Sequence, residues 1–144
     1  MTFVYFDTSA LVKRYVSEPG SLQVRAFLRR HDLLSSAVTP VEVLSALCRR
    51  KQSGDLSEEN FTAVLRRVQS DRIRWELVEV GAMVLSRAEE IVQGSVAVRA
   101  LDAIHLASLV TFQSASGIRI PFVTGDTRQR DAATYLGLDI VWVG

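Results

Sequence analysis

The chain has 144 residues, of which 48% are hydrophobic and 23% are charged, so it is long enough and apolar enough to bury a core. Its 17 lysines and arginines against 16 aspartates and glutamates give a formal net charge of +1, which argues against nucleic-acid binding by bulk charge alone. The one cysteine, Cys48, excludes an intrachain disulfide and a cysteine-based zinc site. We expect a single domain that spans residues 1–144.

The start of the chain shows no targeting segment, because no basic region there is followed by a long apolar run. No stretch of the chain approaches the roughly 18 uninterrupted apolar residues that a membrane span needs. We therefore expect a soluble, cytoplasmic protein with no membrane association.

Short apolar segments alternate along the chain with longer segments of helical periodicity. Strands are predicted at 2–6, 33–38, 75–80, 120–123 and 140–143. Helices are predicted at 9–17, 21–30, 39–52, 57–70, 82–92, 101–112 and 126–136. Because every connection between strands is long enough for a crossover, the pattern predicts a three-layer α/β/α sandwich around a mostly parallel sheet.

Local signals mark the limits of two of these helices. Pro19 and Gly20 end the first predicted helix, because neither residue type continues a helix readily. At the start of the third, Thr39 stands at the N-cap, Pro40 at the first helical position and Glu42 two residues later. This combination is typical of a helix start with a capping box.

Four acidic residues occupy positions where open parallel sheets usually bind ligands, at or near the carboxyl ends of strands. Asp7 follows the first predicted strand, Glu42 opens the helix after the second, and Asp126 follows the fourth. Asp102 lies in the first turn of the helix at 101–112. These four are the candidate site residues.

Each of the four, taken alone, also has a structural explanation. Asp7 and Asp126 can cap the helices that follow them. Glu42 can complete a capping box with Thr39. Asp102 can complement the dipole of its helix.

Asp102 is the hardest of the four to explain by structure alone. Its helix is apolar nearly all round, with a polar stripe made only of Asp102 and His105. Burying an unpaired carboxylate costs several kcal/mol or forces its protonation. Asp102 therefore needs a partner.

A metal ion would be required if the four acids converge, because they repel one another. Ligation by oxygen alone selects Mg²⁺ or Mn²⁺ over zinc. Such a site suits phosphodiester hydrolysis, since the ion activates water and neutralises the charge that grows on the phosphate. Neither composition nor spacing establishes that the four converge.

The acidic motifs resemble those of PIN-domain proteins, and more narrowly those of VapC-type toxins from bacterial toxin–antitoxin pairs. The resemblance covers the whole chain. The motifs are Asp7-Thr8-Ser9-Ala10-Leu11-Val12-Lys13, Thr39-Pro40-Val41-Glu42, Leu101-Asp102-Ala103-Ile104-His105-Leu106-Ala107 and Phe122-Val123-Thr124-Gly125-Asp126. Ala132-Ala133, Leu136-Gly137-Leu138 and a final strand complete the pattern. Each motif is weak alone, whereas four in register are specific.

This resemblance implies a small PIN-like α/β/α sandwich and an endoribonuclease activity that depends on Mg²⁺ or Mn²⁺. Asp7, Glu42, Asp102 and Asp126 match the four acidic positions of the family and are the expected catalytic residues. Asp7 and Asp102 would be the most direct metal ligands. Glu42 and Asp126 would complete the site through water or hold a second ion.

The resemblance also implies partners. An RNA would be the substrate, and the chain would form a homodimer that a cognate antitoxin inhibits by covering the groove. The antitoxin's tail would place a basic side chain near the acids. Thr8 and Thr124 resemble the hydroxyl residues beside the family's acids, where they would orient carboxylates or waters.

Two other features are interpreted as structural. His105 lies three residues after Asp102 on the same helical face, and we expect a hydrogen bond to a neighbour rather than acid–base catalysis. Arg49-Arg50-Lys51 closes the helix at 39–52 and complements its dipole, with contact to an RNA backbone as the alternative.

Two further function classes stay open at this stage. The first is a PIN-like module that binds RNA or a protein partner without cutting. The second is a phosphotransfer domain in which Asp7 accepts a phosphoryl group. Phosphatases of that type usually carry an aspartate two residues after the nucleophile, and Ser9 occupies that position here.

Overall fold

The computed structural model describes residues 2–144 of the chain. Its strands are β1 (Phe3–Phe6), β2 (Asp32–Ser36), β3 (Glu76–Val78), β4 (Phe122–Thr124) and β5 (Ile140–Trp142). They form one sheet in the order β3-β2-β1-β4-β5. Every neighbouring pair in that sheet is parallel. The predicted parallel sheet is therefore confirmed, and over the described residues it is parallel throughout.

Helices connect the strands. They are α1 (Thr8–Leu11), α2 (Ser21–Arg30), α3 (Thr39–Gln52), α4 (Glu58–Asp71), α5 (Ala82–Val92), α6 (Ala100–Ser116) and α7 (Thr127–Tyr135). None of the helices within residues 2–144 combines the length and the apolar character that a membrane crossing requires.

The two faces of the sheet carry separate hydrophobic cores. Val4 and Phe6 of β1 pack in the core that α1 to α4 cover. Tyr5 lies between them in sequence and packs in the opposite core, against α5, α6 and α7. Both faces of the sheet are buried in this way, as parallel sheets require. The predicted three-layer α/β/α sandwich is confirmed.

The first helix is shorter than its periodicity predicts. Instead of one helix at 9–17, the chain forms α1 and then a single 3-10 turn at Val12–Arg14. The helix begins early because the Asp7 carboxylate caps it, accepting a hydrogen bond of 3.0 Å from the amide of Ala10. Apolar spacing over so few residues does not distinguish an α-helix from a tighter 3-10 turn.

The predicted capping box at the start of α3 is wrong. Val38, rather than Thr39, is the N-cap residue. The Thr39 hydroxyl instead accepts a hydrogen bond of 3.2 Å from the amide of Ser36 and lies 2.6 Å from the Ser35 hydroxyl. This side-chain turn ends β2 at Ser36 rather than at residue 38. Glu42 bonds to groups outside its own helix.

The buried helix α6 is longer than predicted. It continues through residues 113–116 and ends where Gly117 adopts a φ of 70°. Apolar periodicity stops at residue 112, so it misses this polar last turn. Strand β4 begins at Phe122 rather than at residue 120, because Pro121 has no N–H to donate to the sheet. The remaining boundaries agree with the prediction within two residues.

The strand order positions the segments that carry the acidic motifs. β1 lies in the sheet between β2 and β4. Since the three strands are parallel, the chain leaves all of them at the same edge. Asp7, the start of α3 and Asp126 are thereby brought next to one another.

Candidate active site

A cavity of about 840 Å³ opens at the carboxyl edge of the sheet. Asp7, Glu42, Asp102 and Asp126 all line it. They come from the ends of β1 and β4 and from the first turns of α3 and α6. The structure therefore brings together all four predicted site residues, which the sequence could place only at separate helix starts.

Asp7 lines the cavity and is only 2% exposed. Its Oδ1 accepts hydrogen bonds from the Ser9 hydroxyl at 2.7 Å and the Ala10 amide at 3.0 Å. Its Oδ2 accepts one from the Thr124 hydroxyl at 2.6 Å. Burial raises the pKa of Asp7, and these hydrogen bonds and the nearby His105 only partly offset that shift. Asp7 thus caps α1 and also faces the cavity.

Glu42 is held by side chains from two other elements. Its Oε1 accepts a hydrogen bond from the Thr8 hydroxyl at 2.8 Å and lies 2.7 Å from Nε2 of His105. Burial acts to raise the pKa of Glu42, but the contacts with His105 and Thr8 outweigh it and the pKa is lowered. Glu42 therefore stays ionised at neutral pH. Thr8 therefore contacts one of the four acids directly, where the resemblance leads us to expect a hydroxyl that orients a carboxylate or a water.

His105 links Glu42 to the core of the protein. The imidazole is 2% exposed, and its Nδ1 lies 2.9 Å from the hydroxyl oxygen of Tyr5. Burial raises the pKa of Tyr5 well above its usual value, so this hydroxyl keeps its proton. The prediction that His105 bonds to a neighbour is confirmed, and the neighbour is one of the four acids.

Asp126 begins α7 and is its N-cap residue. Its Oδ1 accepts hydrogen bonds from the amides of Arg128 at 2.8 Å and Gln129 at 3.4 Å. Its own amide donates to the Thr124 hydroxyl at 3.1 Å, and that hydroxyl donates to Asp7. Thr124 therefore fixes Asp126 and Asp7 relative to each other.

Asp102 is the acid that the protein leaves least satisfied. Its Oδ2 is buried and has no hydrogen-bond partner among the described residues. Nε of Arg99 is 4.0 Å from it, beyond hydrogen-bond distance. Burial raises the pKa of Asp102, and the charges of Asp126 and Glu42 raise it further. A positive charge placed beside Asp102 would offset both effects by stabilising the ionised carboxylate.

The donor set fits a hard divalent cation. Across residues 2–144, no three Asp, Glu, His or Cys side chains are grouped as a ready-made ligand set. Mg²⁺, however, is usually held by one or two carboxylates and keeps several of its waters. Asp102 offers a buried oxygen that no protein group binds, and the other acids line a cavity with room for water. The residues present therefore fit Mg²⁺ or Mn²⁺.

Sequence analysis interpreted Arg49 and Arg50 as structural, with contact to an RNA backbone as the alternative, and did not predict that basic side chains line the same cavity as the acids. Lys13, Arg49, Arg50 and Arg99 line it together with the acids. Lys13 is nearly buried, and its Nζ donates to the carbonyl oxygen of Pro19 at 2.6 Å. Its place in the first acidic motif, among apolar residues, is the one signal that could have singled it out.

Gln129 is another cavity residue that the sequence did not indicate. It is 1% exposed, and neither polar atom of its side-chain amide has a hydrogen-bond partner within residues 2–144. It lies on α7, one turn after Asp126. A glutamine at that position carries no signal in a single sequence, because most helical glutamines are solvated.

The fold and the cavity define an α/β/α protein with an acidic site at the carboxyl edge of a parallel sheet. The family model described as PIN domain matches residues 4–135. Ribonuclease VapC46 of Mycobacterium tuberculosis (strain ATCC 25618 / H37Rv) is 34% identical over 142 residues, which cover 98% of each chain. Ribonuclease VapC45 of Mycobacterium tuberculosis (strain CDC 1551 / Oshkosh) is 35% identical over 109 residues, or 75% of each chain.

The fold itself has a solved counterpart. A chain in the crystal structure of VapBC2 from Rickettsia felis, bound to a DNA fragment from their promoter, superposes with a TM-score of 0.67. The match covers 99% of this chain and 100% of that one, at 11% sequence identity. The chain belongs to the PIN-domain family and, within it, to the VapC-type proteins.

Proposed function

We propose that the chain is a metal-dependent endoribonuclease that hydrolyses RNA phosphodiester bonds and acts as the toxin of a toxin–antitoxin pair. The observation that carries the proposal is that the four predicted acids line one cavity, in which a buried oxygen of Asp102 has no hydrogen-bond partner in the described chain. The names of its relatives, ribonuclease VapC46 and ribonuclease VapC45, support RNA as the substrate.

Asp7 and Asp102 would hold Mg²⁺ or Mn²⁺ directly, while Glu42 and Asp126 would hold it through water or bind a second ion. When bound, such an ion supplies an activated water and neutralises charge on the phosphate. All four acids thereby have a catalytic role in the proposal.

The side chains around the acids orient them for this work. Ser9 and Thr124 each donate a hydrogen bond to Asp7, one to each of its oxygens. The hydrogen bonds of Glu42 within residues 2–144 end on Oε1, which leaves Oε2 to accept one from water. Groups held from several sides lose little freedom when substrate arrives, which favours reaction.

The partners follow from the same proposal. A cognate antitoxin would inhibit the chain by covering the cavity and placing a basic side chain near the acids. The active form would be a homodimer in the cytoplasm. Light scattering of the purified chain tests the dimer, and co-purification with a co-expressed neighbouring gene product tests the antitoxin.

The decisive experiment is incubation of the purified protein with total RNA in Mg²⁺, Mn²⁺ or EDTA. Wild type is compared with Asp102→Asn and with Asp131→Asn. Asp131 is a matched control, since it lies on α7, is exposed and does not line the cavity. We expect discrete fragments from wild type and Asp131→Asn with metal, and none from Asp102→Asn or in EDTA.

Intact RNA under every condition, from folded protein free of antitoxin, would contradict the proposal. It would favour a PIN-like module that binds RNA or protein without cutting. Expression of wild type alone should also slow growth, whereas Asp102→Asn should not, because arrest depends on cleavage.

A further inference from the structure

The cavity combines an acidic side with a basic side. The acids attract metal ions but repel the phosphates of a nucleic acid. Lys13, Arg49, Arg50 and Arg99 supply the opposite charge within the same cavity, which Glu18, a further acid in its lining, offsets only in part. A polyanion can therefore approach the acids along the basic side.

One face of α3 extends from the acids of the cavity to its arginines. Glu42, Ala46, Arg49, Arg50 and Ser53 all line the cavity and recur at helical spacing. Arg49 follows Glu42 by two helical turns, or about 10 Å along the axis. A strand that places one phosphodiester at the acids would therefore carry neighbouring phosphates past the two arginines.

Lys51 follows these arginines directly but lies on another face of α3. Its Nζ is 3.1 Å from a carboxylate oxygen of Glu58 and 4.7 Å from the centre of the Phe61 ring, both on α4. It does not line the cavity. The structure thus separates three consecutive cations that the sequence presents as one basic run.

Glu18 holds two of the cavity cations in place. It forms an ion pair with Arg50, and its Oε1 lies 3.2 Å from Nζ of Lys13. The guanidinium of Arg50 is therefore held at the cavity before any ligand is present. Ordering a side chain in advance reduces the entropy lost when a ligand binds.

We propose that Arg49 and Arg50 bind RNA phosphates next to the bond that is cut, with Glu18 holding Arg50 in position. The inference rests on the proposed ribonuclease function and names two side chains that position its substrate. Arginine suits this role, because its planar guanidinium pairs with phosphate through two hydrogen bonds. Such contacts fix the register of the strand without reading its sequence.

The test measures RNA binding in the absence of cleavage. Every variant is made in the Asp102→Asn background with Mg²⁺ present, and fluorescence anisotropy follows a labelled single-stranded RNA. Titrations between about 25 and 200 mM KCl give the slope of log affinity against log salt concentration. Arg49→Ala and Arg50→Ala are compared with Lys51→Ala, which removes an equal charge from the same helix. Thermal melts check that each variant folds.

We expect each arginine variant to bind the RNA several-fold more weakly than the background protein does. The slope of log affinity against log salt concentration should become smaller in magnitude by about 0.7, which corresponds to the loss of one phosphate contact. Lys51→Ala should match the background protein. Arg50→Lys keeps the charge and should restore most of the slope. The inference is overturned if Lys51→Ala changes the slope as much as the arginine variants do, or if no variant changes it.

Cleavage of RNA by the wild-type chain is measured separately. Cleavage without any difference in slope would overturn the role of the arginines and leave the ribonuclease proposal standing. The expected slopes without cleavage would support phosphate binding at this surface and overturn the hydrolytic function.

Discussion

His105 and Glu42 lie 63 residues apart in the chain, yet 2.7 Å separates Nε2 of one from Oε1 of the other. The second ring nitrogen of His105 lies 2.9 Å from the Tyr5 hydroxyl. Nε2 of the imidazole is thus within hydrogen-bond distance of the Glu42 carboxylate, and Nδ1 is within hydrogen-bond distance of the Tyr5 hydroxyl. The direction of the Glu42 carboxylate is therefore set from inside the core.

Replacing His105 should weaken both the fold and the site. His105→Phe leaves the buried Tyr5 hydroxyl without its imidazole partner and removes a hydrogen bond from Glu42. We expect the free energy of unfolding in urea to fall by about 2–3 kcal/mol. Tyr5→Phe removes only one of the two contacts and should cost about 1 kcal/mol.

A double-variant cycle shows whether His105 acts through Glu42. In the Glu42→Gln background, His105→Phe should lower RNA cleavage by a smaller factor than it does in wild type. Equal factors in the two backgrounds would mean that His105 affects activity by another route.

Asp102→Asn should stabilise the metal-free protein. The substitution removes a charge that is partly buried and lies near other acids, so we expect a gain of about 1 kcal/mol at pH 7. Asp131→Asn, on the exposed side of α7, should change stability little. Added Mg²⁺ should raise the melting temperature of wild type more than that of Asp102→Asn, because the ion binds the folded state.

The pH dependence of that gain follows from the raised pKa of Asp102, whose usual value is 3.8. Below pH 3.8 the carboxyl group is protonated in both the folded and the unfolded chain, so the two proteins should be equally stable. As the pH rises through the folded-state pKa, the wild type loses stability relative to the variant. Urea denaturation of both proteins between about pH 3 and pH 7 measures the difference in their free energies of unfolding. A difference that stays constant over this range would contradict this account.

Gln129→Met should also raise stability. The buried amide of Gln129 has no hydrogen-bond partner in the described chain, and methionine fills a similar volume without polar groups that need one. We expect about 1–2 kcal/mol in the free energy of unfolding. Gln113→Met is a control of opposite sign, because the Gln113 side chain accepts a hydrogen bond of 2.8 Å from Ile120. A loss of stability in both variants would show that the Gln129 amide is satisfied in solution.

Gly125→Ala should disturb the buried lysine of the cavity. A Cβ at Gly125 would lie 2.6 Å from Cε of Lys13, so the end of the lysine side chain would have to shift, which would strain its contacts with Pro19 and Glu18. We expect the free energy of unfolding to fall by about 1–2 kcal/mol.

Two comparisons isolate the cause of that loss. In a Lys13→Ala background the cost of Gly125→Ala should nearly vanish, because the clash is gone. Gly81→Ala has nothing within 4 Å of its new Cβ and should be close to neutral. An unchanged cost in the Lys13→Ala background would place the strain elsewhere.

The alternation of strands and helices could be predicted from the sequence because buried side chains give each kind of element a characteristic spacing of apolar residues. Val4 and Phe6 face one core and Tyr5 the other, so β1 is apolar throughout, which is typical of a strand in a parallel sheet. The four acids could be located because they follow strands or open helices. Their catalytic roles remain predictions until cleavage is measured.

Local patterns were less informative where a distant residue competes for the same side chain. Thr39 and Glu42 have the spacing of a capping box, yet Thr39 bonds to β2 and Glu42 bonds to Thr8 and His105. The spacing indicates only which hydrogen bonds a side chain can form within its own helix. It says nothing about stronger partners that the fold brings near.

The sequence by itself determined the α/β class and the parallel sheet. It also placed each acid either after a strand or in the first turn of a helix. These features depend on periodicity and on residues that are close in the chain. Only the tertiary structure decided that the acids share one cavity, that Arg49 and Arg50 line it while Lys51 does not, and that Oδ2 of Asp102 has no hydrogen-bond partner among the described residues. Those facts depend on the strand order and on how the helices pack. Contacts of that kind join residues far apart in the chain, and no local pattern records them.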